Sequence, residues 1–248
     1  MPPAGRPRHN AERRKAMNTV FVTGADRNIG LEIAREFLKR GWFVYAGRYI
    51  MDLGYLEELK AEYPETMEIV DADVSSRESL LAAAETVKGK TGTLDMLVHN
   101  AAAFGDHAAE PDFSRFWIPY NVNAIGAIRL VQAFLPLMQE GMKRLCFVSS
   151  EAGVVSVAHR TEVSSYCMSK TALNMALRLM FNQLQPKGWT FRLFHPGWVR
   201  SAKDGRPARG GKFEPWEAAS SAVPQFIEDR DWEDRMVLID NEGAAWPF

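Results

Sequence analysis

The feature that most constrains how this 248-residue chain folds is a strand that enters a glycine turn and then a helix, close to the N-terminus. The apolar run Thr19-Val20-Phe21-Val22 leads into Thr23-Gly24-Ala25-Asp26-Arg27-Asn28-Ile29-Gly30, and helical periodicity follows from Leu31 to Lys39. Such a turn presents backbone N–H groups at the positive end of a helix and suits a pyrophosphate, which only small residues allow to approach. Gly24 and Gly30 supply that clearance in a near T-G-x-x-x-G-x-G pattern. Asn28 stands where a middle glycine would, and asparagine tolerates positive φ better than most residues.

Beyond this unit, short apolar runs alternate with helical patterns. Strands are expected near 19–23, 43–46, 67–70, 94–98, 144–149, 190–195 and 236–240, with helices near 29–39, 54–62, 76–88, 113–139, 164–184 and 215–228. Strictly alternating elements predict an α/β domain with a mostly parallel sheet covered on both faces. Seven strands, with a nucleotide motif in the first βα turn, favour a Rossmann-type doubly wound sheet over a barrel. A single domain over 18–248 is expected. Residues 1–17 carry Arg6, Arg8, Arg13, Arg14 and Lys15 among prolines, without apolar periodicity, and read as a disordered basic extension.

Composition narrows the function classes. With 46% hydrophobic and 25% charged residues and a net charge of −1, the chain reads as a globular protein with no case for nucleic acid. Apolar stretches are broken by charges short of the ~20 residues of a membrane helix, and the start lacks an apolar signal core. No membrane partner and a cytoplasmic location are expected. Cys146 and Cys167 have no metal-ligand spacing, so both read as inert and no metal is expected.

The chemistry-bearing segment is Tyr166-Cys167-Met168-Ser169-Lys170, where a phenol and an ammonium four residues apart share one helical face. An ammonium beside a phenol favours the phenolate, so the pair is suited to relay a proton.

Taken together, these motifs resemble the short-chain dehydrogenase/reductase family from about residue 18 to the C-terminus, in particular its carbonyl-reductase branch that includes sniffer and C-factor proteins. Further matches come in the family's order: Asp73-Val74 after the third strand, His99-Asn100-Ala101-Ala102 after the fourth, Asn123, Ser150 after Leu145 to Val148, and His195-Pro196-Gly197-Trp198-Val199-Arg200-Ser201. The resemblance implies Asn123, Ser150, Tyr166 and Lys170 as the catalytic set. It implies cofactor contacts from Gly24, Asp26, Arg27, Asn28, Ile29 and Gly30 in the turn, Asp73 and Val74 at adenine, and Asn100, Ala101 and Ala102. Tyr166 and Lys170 would also contact the cofactor, and Pro196, Gly197, Val199 and Ser201 would hold the nicotinamide carboxamide. Asn123 would hold a water linking Lys170 to solvent.

Ser150 precedes Tyr166 by three residues more than is usual in the family, which reads as an insertion in the loop from Val154 to Ser164 holding His159 and Arg160. Ser149, Ser164 and Ser165 are weaker candidates for the catalytic serine. His195 reads as a structural residue at a strand end. The resemblance also implies a mobile substrate-covering loop at 202–213 and a homodimer or homotetramer formed through helices 113–139 and 164–184.

The second strand ends at Arg48, where an NAD-using protein of this fold would place an acidic residue for the ribose 2′-hydroxyl. Guanidinium groups bind a 2′-phosphate through charge-assisted bonds, and Arg27 stands at the second basic position of NADP-using relatives. NADP(H) is therefore the expected cofactor. The expected activity is reduction of a small carbonyl substrate, with Phe104, Trp117, Trp198, Phe213 and Trp216 near the segments that border the family's pocket. The alternative from another class is a non-catalytic NADP(H)-sensing or signalling protein.

Overall fold

The structure is a computed structural model and describes residues 17–104, 112–201 and 210–248. The basic extension up to residue 16 and most of the expected substrate loop lie outside the described residues. Eight strands form one sheet: β1 Thr19–Val22, β2 Phe43–Arg48, β3 Met67–Asp71, β4 Met96–His99, β5 Arg144–Val148, β6 Thr190–His195, β7 Leu238–Asp240 and β8 Ala245–Trp246. Their spatial order is β3-β2-β1-β4-β5-β6-β7-β8. All pairings are parallel except β7 with β8.

The expected seven strands become eight because Ala245 and Trp246 turn back on β7. Asp240 drives that reversal: its carboxylate accepts from the backbone N–H of Ala244 and Glu242 and from Trp246 Nε1 at 2.8 Å. A two-residue strand carries too little alternation to be read from sequence.

The strands are apolar on both faces because helices cover both. Phe21 and Tyr45 point to one side, while Val20, Val22, Val44 and Ala46 point to the other, and each set joins its own fully buried cluster. On the first side lie α3 Arg77–Lys90, α5 Gly126–Phe134 and α6 Ser164–Leu184; on the second lie α1 Asn28–Lys39, α2 Tyr55–Glu62 and α7 Pro215–Ile227. A one-turn α4 spans Trp117–Pro119.

The expected helix over 113–139 is present as one helical run from Phe113 to Met138, but its hydrogen-bond register changes along it. It runs as a 3-10 turn Phe113–Arg115, the α4 turn, a π-helical stretch Tyr120–Ile125, α5, and a 3-10 turn Leu135–Met138. The π-helical stretch contains Asn123, whose side chain is drawn into bonds with neighbouring elements; single π turns are commonly found where a function displaces the regular ladder. By length and composition this run, Phe113–Met138, is long and apolar enough to cross a membrane, and 44% of its 18-residue apolar window is buried inside the fold. Ala127, Leu130 and Phe134 in this run are core residues.

Strand order reverses between β1 and β4, so the loops leaving their carboxyl ends diverge and open a crevice. That crevice brings the glycine turn, residues 99–103 and the N-terminal part of α6 to one edge of the sheet.

Candidate active site

The glycine turn is built for close approach. Gly24 has φ +60°, and a Cβ there would meet Ala101 Cα at 3.0 Å. A Cβ at Gly30 would lie 2.0 Å from the Gly24 carbonyl oxygen and 2.4 Å from Asn100 Nδ2. Asn28 adopts φ +50°, so the asparagine takes the backbone conformation that the missing glycine would have supplied.

The turn is tied to the loop after β4. The Thr23 hydroxyl accepts from the N–H groups of Asn100 and Ala101, both at 3.1 Å, and Asn100 Nδ2 donates to the carbonyls of Thr23 and Gly24. Asp26 points elsewhere: its carboxylate accepts from the N–H groups of Tyr49 (2.9 Å) and Ile50 (2.7 Å). It fixes the segment after β2 to the turn. Asp73 likewise caps its own chain, accepting from Ser75 N–H and Oγ, while the buried Val74 packs on Gly126.

The two arginines differ. Arg27, at the N-cap of α1, lines a cavity of about 180 Å³ with Asn28, Leu31, Tyr55 and Pro215. Arg48 is held by two carboxylates, Asp71 and Glu57, each at 2.8 Å.

Around Tyr166 the structure gathers the expected set. Tyr166 and Lys170 sit one turn apart on α6, both buried, with the ammonium 5.8 Å from the phenol ring centroid. Lys170 Nζ donates to the Val148 carbonyl at 3.0 Å, anchoring the helix to the end of β5. Burial pushes Lys170 down to about 8, which leaves it cationic at neutral pH. Burial also pushes Tyr166 up to about 12, against a smaller lowering influence from the facing Ser150 hydroxyl. The lowering expected from Lys170 does not prevail: burial is the leading influence on the phenol and favours its protonated form. Phe104 stacks on the Tyr166 ring at 4.7 Å.

Asn123 is buried with its amide fully engaged. Oδ1 accepts from Ala103 N–H at 2.8 Å, while Nδ2 donates to the Ala103 carbonyl and to Ser169 Oγ, both at 2.9 Å. His99, where the family usually has asparagine, is buried, with Nε2 3.3 Å from the Asn123 carbonyl and Nδ1 3.4 Å from Thr23 Oγ1. Burial holds it down to about 3, so it is neutral and joins the glycine turn to the π-helical stretch.

The alternative serines are accounted for structurally where their bonds are seen. Ser149 donates to Asn174 Oδ1 at 2.7 Å, and Asn174 in turn donates to the Gly153 carbonyl. Ser150 faces Tyr166 and also donates to Glu151 Oε2 at 2.7 Å.

Glu151 is the residue that sequence reading missed. Buried beside the serine, it is bound by Arg160 from the enlarged loop, with Nε at 3.0 Å, and its Oε2 lies 3.4 Å from His195 Nε2. His195, at the end of β6, thus contacts Glu151 beside the site. The Pro196–Ser201 segment leaves β6 through Gly197 at φ +72° and is fastened by Lys212 and Phe213 N–H groups donating to the Trp198 carbonyl. His159 is exposed and takes no part.

Comparison with known proteins gives this geometry a family. The short chain dehydrogenase family matches over residues 18–207. The chain belongs to that family. It is therefore a short-chain dehydrogenase/reductase oxidoreductase. An oxidoreductase of Schizosaccharomyces pombe is 32% identical over 187 residues, covering 73% of each chain. The C-signal protein of Myxococcus xanthus is 37% identical over 123 residues, 48% of this chain and 73% of that one. Among solved structures, a short-chain dehydrogenase/reductase from Burkholderia multivorans with bound NADP superposes with a TM-score of 0.79 at 25% identity, covering 92% of this chain and 98% of that one. The NADPH-bound carbonyl reductase from chicken fatty liver gives 0.81 at 23% identity, covering 94% and 99%.

Proposed function

We propose that this short-chain dehydrogenase uses NADP(H) to reduce the carbonyl of a small apolar or aromatic substrate to the alcohol, with Tyr166 as the proton donor. The observation that carries this reading is the buried, protonated Tyr166 phenol facing the Ser150 hydroxyl, one helical turn from the Lys170 ammonium. An acid that keeps its proton at neutral pH suits reduction, where the carbonyl oxygen must receive one.

The residues present fit the dinucleotide. Gly24 and Gly30 let the turn pack tightly on itself and on the loop after β4, a compact turn before α1 of the kind that presents backbone N–H groups to a pyrophosphate. Arg27 and Arg48 would take the 2′-phosphate, Asp73 and Val74 would border adenine, and Asn100 to Ala102 would line the crevice. Tyr166 and Lys170 would meet the ribose, with Pro196 to Ser201 at the carboxamide. When bound, the cofactor supplies the hydride.

The chain's own residues do the rest. Tyr166 gives its phenol proton to the substrate oxygen, and Ser150 turns its hydroxyl from Glu151 toward that oxygen as negative charge develops there. Lys170 stays cationic and steadies the charge left on the phenol. Asn123 positions the loop after β4 through Ala103, which shapes the wall opposite Tyr166. Phe104 over the phenol and the exposed Trp198 nearby support an apolar or aromatic substrate. Exposed Met168, Met175 and Leu179 on α6 support a homodimer through that helix.

The test is NADPH oxidation against a panel of quinones, aromatic aldehydes and ketones, with Tyr166→Phe beside wild type. The variant should fold and bind NADPH while losing at least about 10²-fold in turnover. Wild-type protein that binds NADPH and reduces nothing would sink the reading and leave a nucleotide-sensing role on the same fold.

A further inference from the structure

A carboxylate joined directly to the proposed acid's neighbour has no part in the mechanism so far. Glu151 is 8% exposed, and its two oxygens are separately engaged: Oε2 takes the Ser150 proton, and Oε1 takes the Arg160 guanidinium. Those bonds, with the nearby His195, offset burial and hold Glu151 below the usual carboxylate range, so it is ionised. An ionised carboxylate only accepts, so the Ser150 hydroxyl must be the donor in that pair. Ser150 Oγ also accepts from Ala152 N–H at 3.1 Å. One lone pair of the hydroxyl then remains, and it is available to the phenol it faces.

We propose that the Glu151–Arg160 pair is a positioning element of the site: the carboxylate orients the Ser150 hydroxyl to accept from the Tyr166 phenol and keeps that phenol loaded with the proton it delivers. Arg160 opposes this from the same loop, being the cation that faces Tyr166 and Cys167. The other charged or titratable groups around the pair are His195 from β6, with Asp240 behind it on β7, and Tyr166, Cys167 and Lys170 from α6. The proposal rests on the carbonyl-reduction reading for its consequence, though not for its geometry. The three extra residues between Ser150 and Tyr166 acquire a purpose, since they lie in the loop that brings Arg160 back to Glu151.

Two substitutions of opposite charge test it. Glu151→Gln keeps an acceptor for Ser150 but removes the negative charge, and Arg160→Gln removes the positive one. In reduction by NADPH, the high-pH limb of kcat/KM should move down in E151Q and up in R160Q, with cofactor affinity within about twofold of wild type. E151Q should also lose on the order of tenfold in kcat, the size of one charge-assisted bond.

The second readout needs no carbonyl substrate: ultraviolet titration of tyrosinate in the full chain, with and without NADP+, using Tyr166→Phe as the blank. Opposite shifts of the Tyr166 titration in the two variants are expected there as well. Shifts that are absent, or that share one direction, would overturn the proposal. Opposite tyrosinate shifts in a protein that reduces no carbonyl would instead remove the reduction reading and leave the pair's effect on Tyr166 standing. If E151Q fails to fold, the half-exposed Arg160 still carries the test, and a stationary R160Q limb and titration would refute it.

Discussion

Replacing Gly30 with alanine should damage the protein, whereas the same change at Gly89 should improve it. Both glycines lie in helices, Gly30 in the first turn of α1 and Gly89 in the last turn of α3. At Gly89 a Cβ would meet nothing within 4 Å, so alanine there keeps only the helix-propensity gain, roughly 0.5–1 kcal/mol. At Gly30 the Cβ would stand 2.0 Å from the Gly24 carbonyl oxygen, and real Cβ contacts stay beyond 3.0 Å, so that peptide or α1 must move by at least the difference.

The movement at Gly30 meets resistance on both sides. Asn100 Nδ2 donates to the Thr23 carbonyl at 3.2 Å and the Gly24 carbonyl at 3.1 Å, and the new methyl would press on that amide as well. Overpacking of this kind costs about 1–3 kcal/mol, and each lost bond adds about 0.5–1.5 kcal/mol. After the propensity gain, a net loss of roughly 2–4 kcal/mol is expected, or about 5–15 °C in melting temperature for a domain of this size. Thermal unfolding with and without NADPH measures it, and NADPH affinity should fall at least about tenfold because the displaced carbonyl belongs to the phosphate turn. Gly30→Ala with wild-type melting and wild-type NADPH affinity would refute the reasoning that clearance at this carbonyl makes the site.

Arg27→Ala should lower the preference for NADPH over NADH by about tenfold or more in binding titrations, the worth of one charge-assisted contact. Asp71→Asn should tighten NADPH severalfold by releasing Arg48 from an acid that competes with a phosphate; unchanged affinity would mean that Arg48 does not reach the cofactor. Ser149→Ala strands the buried Asn174 oxygen and should lower stability by about 1–3 kcal/mol with turnover intact, while Ser150→Ala should lower kcat by about 10²–10³-fold. The reverse pattern in unfolding and NADPH-oxidation assays would exchange the roles of the two serines.

Helix and strand positions were legible because they are set by local periodicity, and α1, α6 and α7 fall within a residue or so of their expected limits. The helical run over 113–139 was legible, but its π-helical stretch was not: Asn123 is bound by Ala103 and Ser169, residues distant in the chain and adjacent only after folding. The site divides along the same line. Tyr166 and Lys170 share one helix, so their spacing alone brings them together. Glu151, Arg160 and His195 come from a 3-10 turn, a loop and a strand end, and no sequence period relates them. The extra loop length before Tyr166 was the only local trace of that cluster, and it became interpretable once Arg160 was seen to return to Glu151. The direction of the Tyr166 shift was not legible for a related reason: the i,i+4 lysine is visible in sequence, while burial of the phenol is set by tertiary packing. Where a site's electrostatics depend on burial, sequence spacing identifies the titrating groups and tertiary packing decides which form they hold.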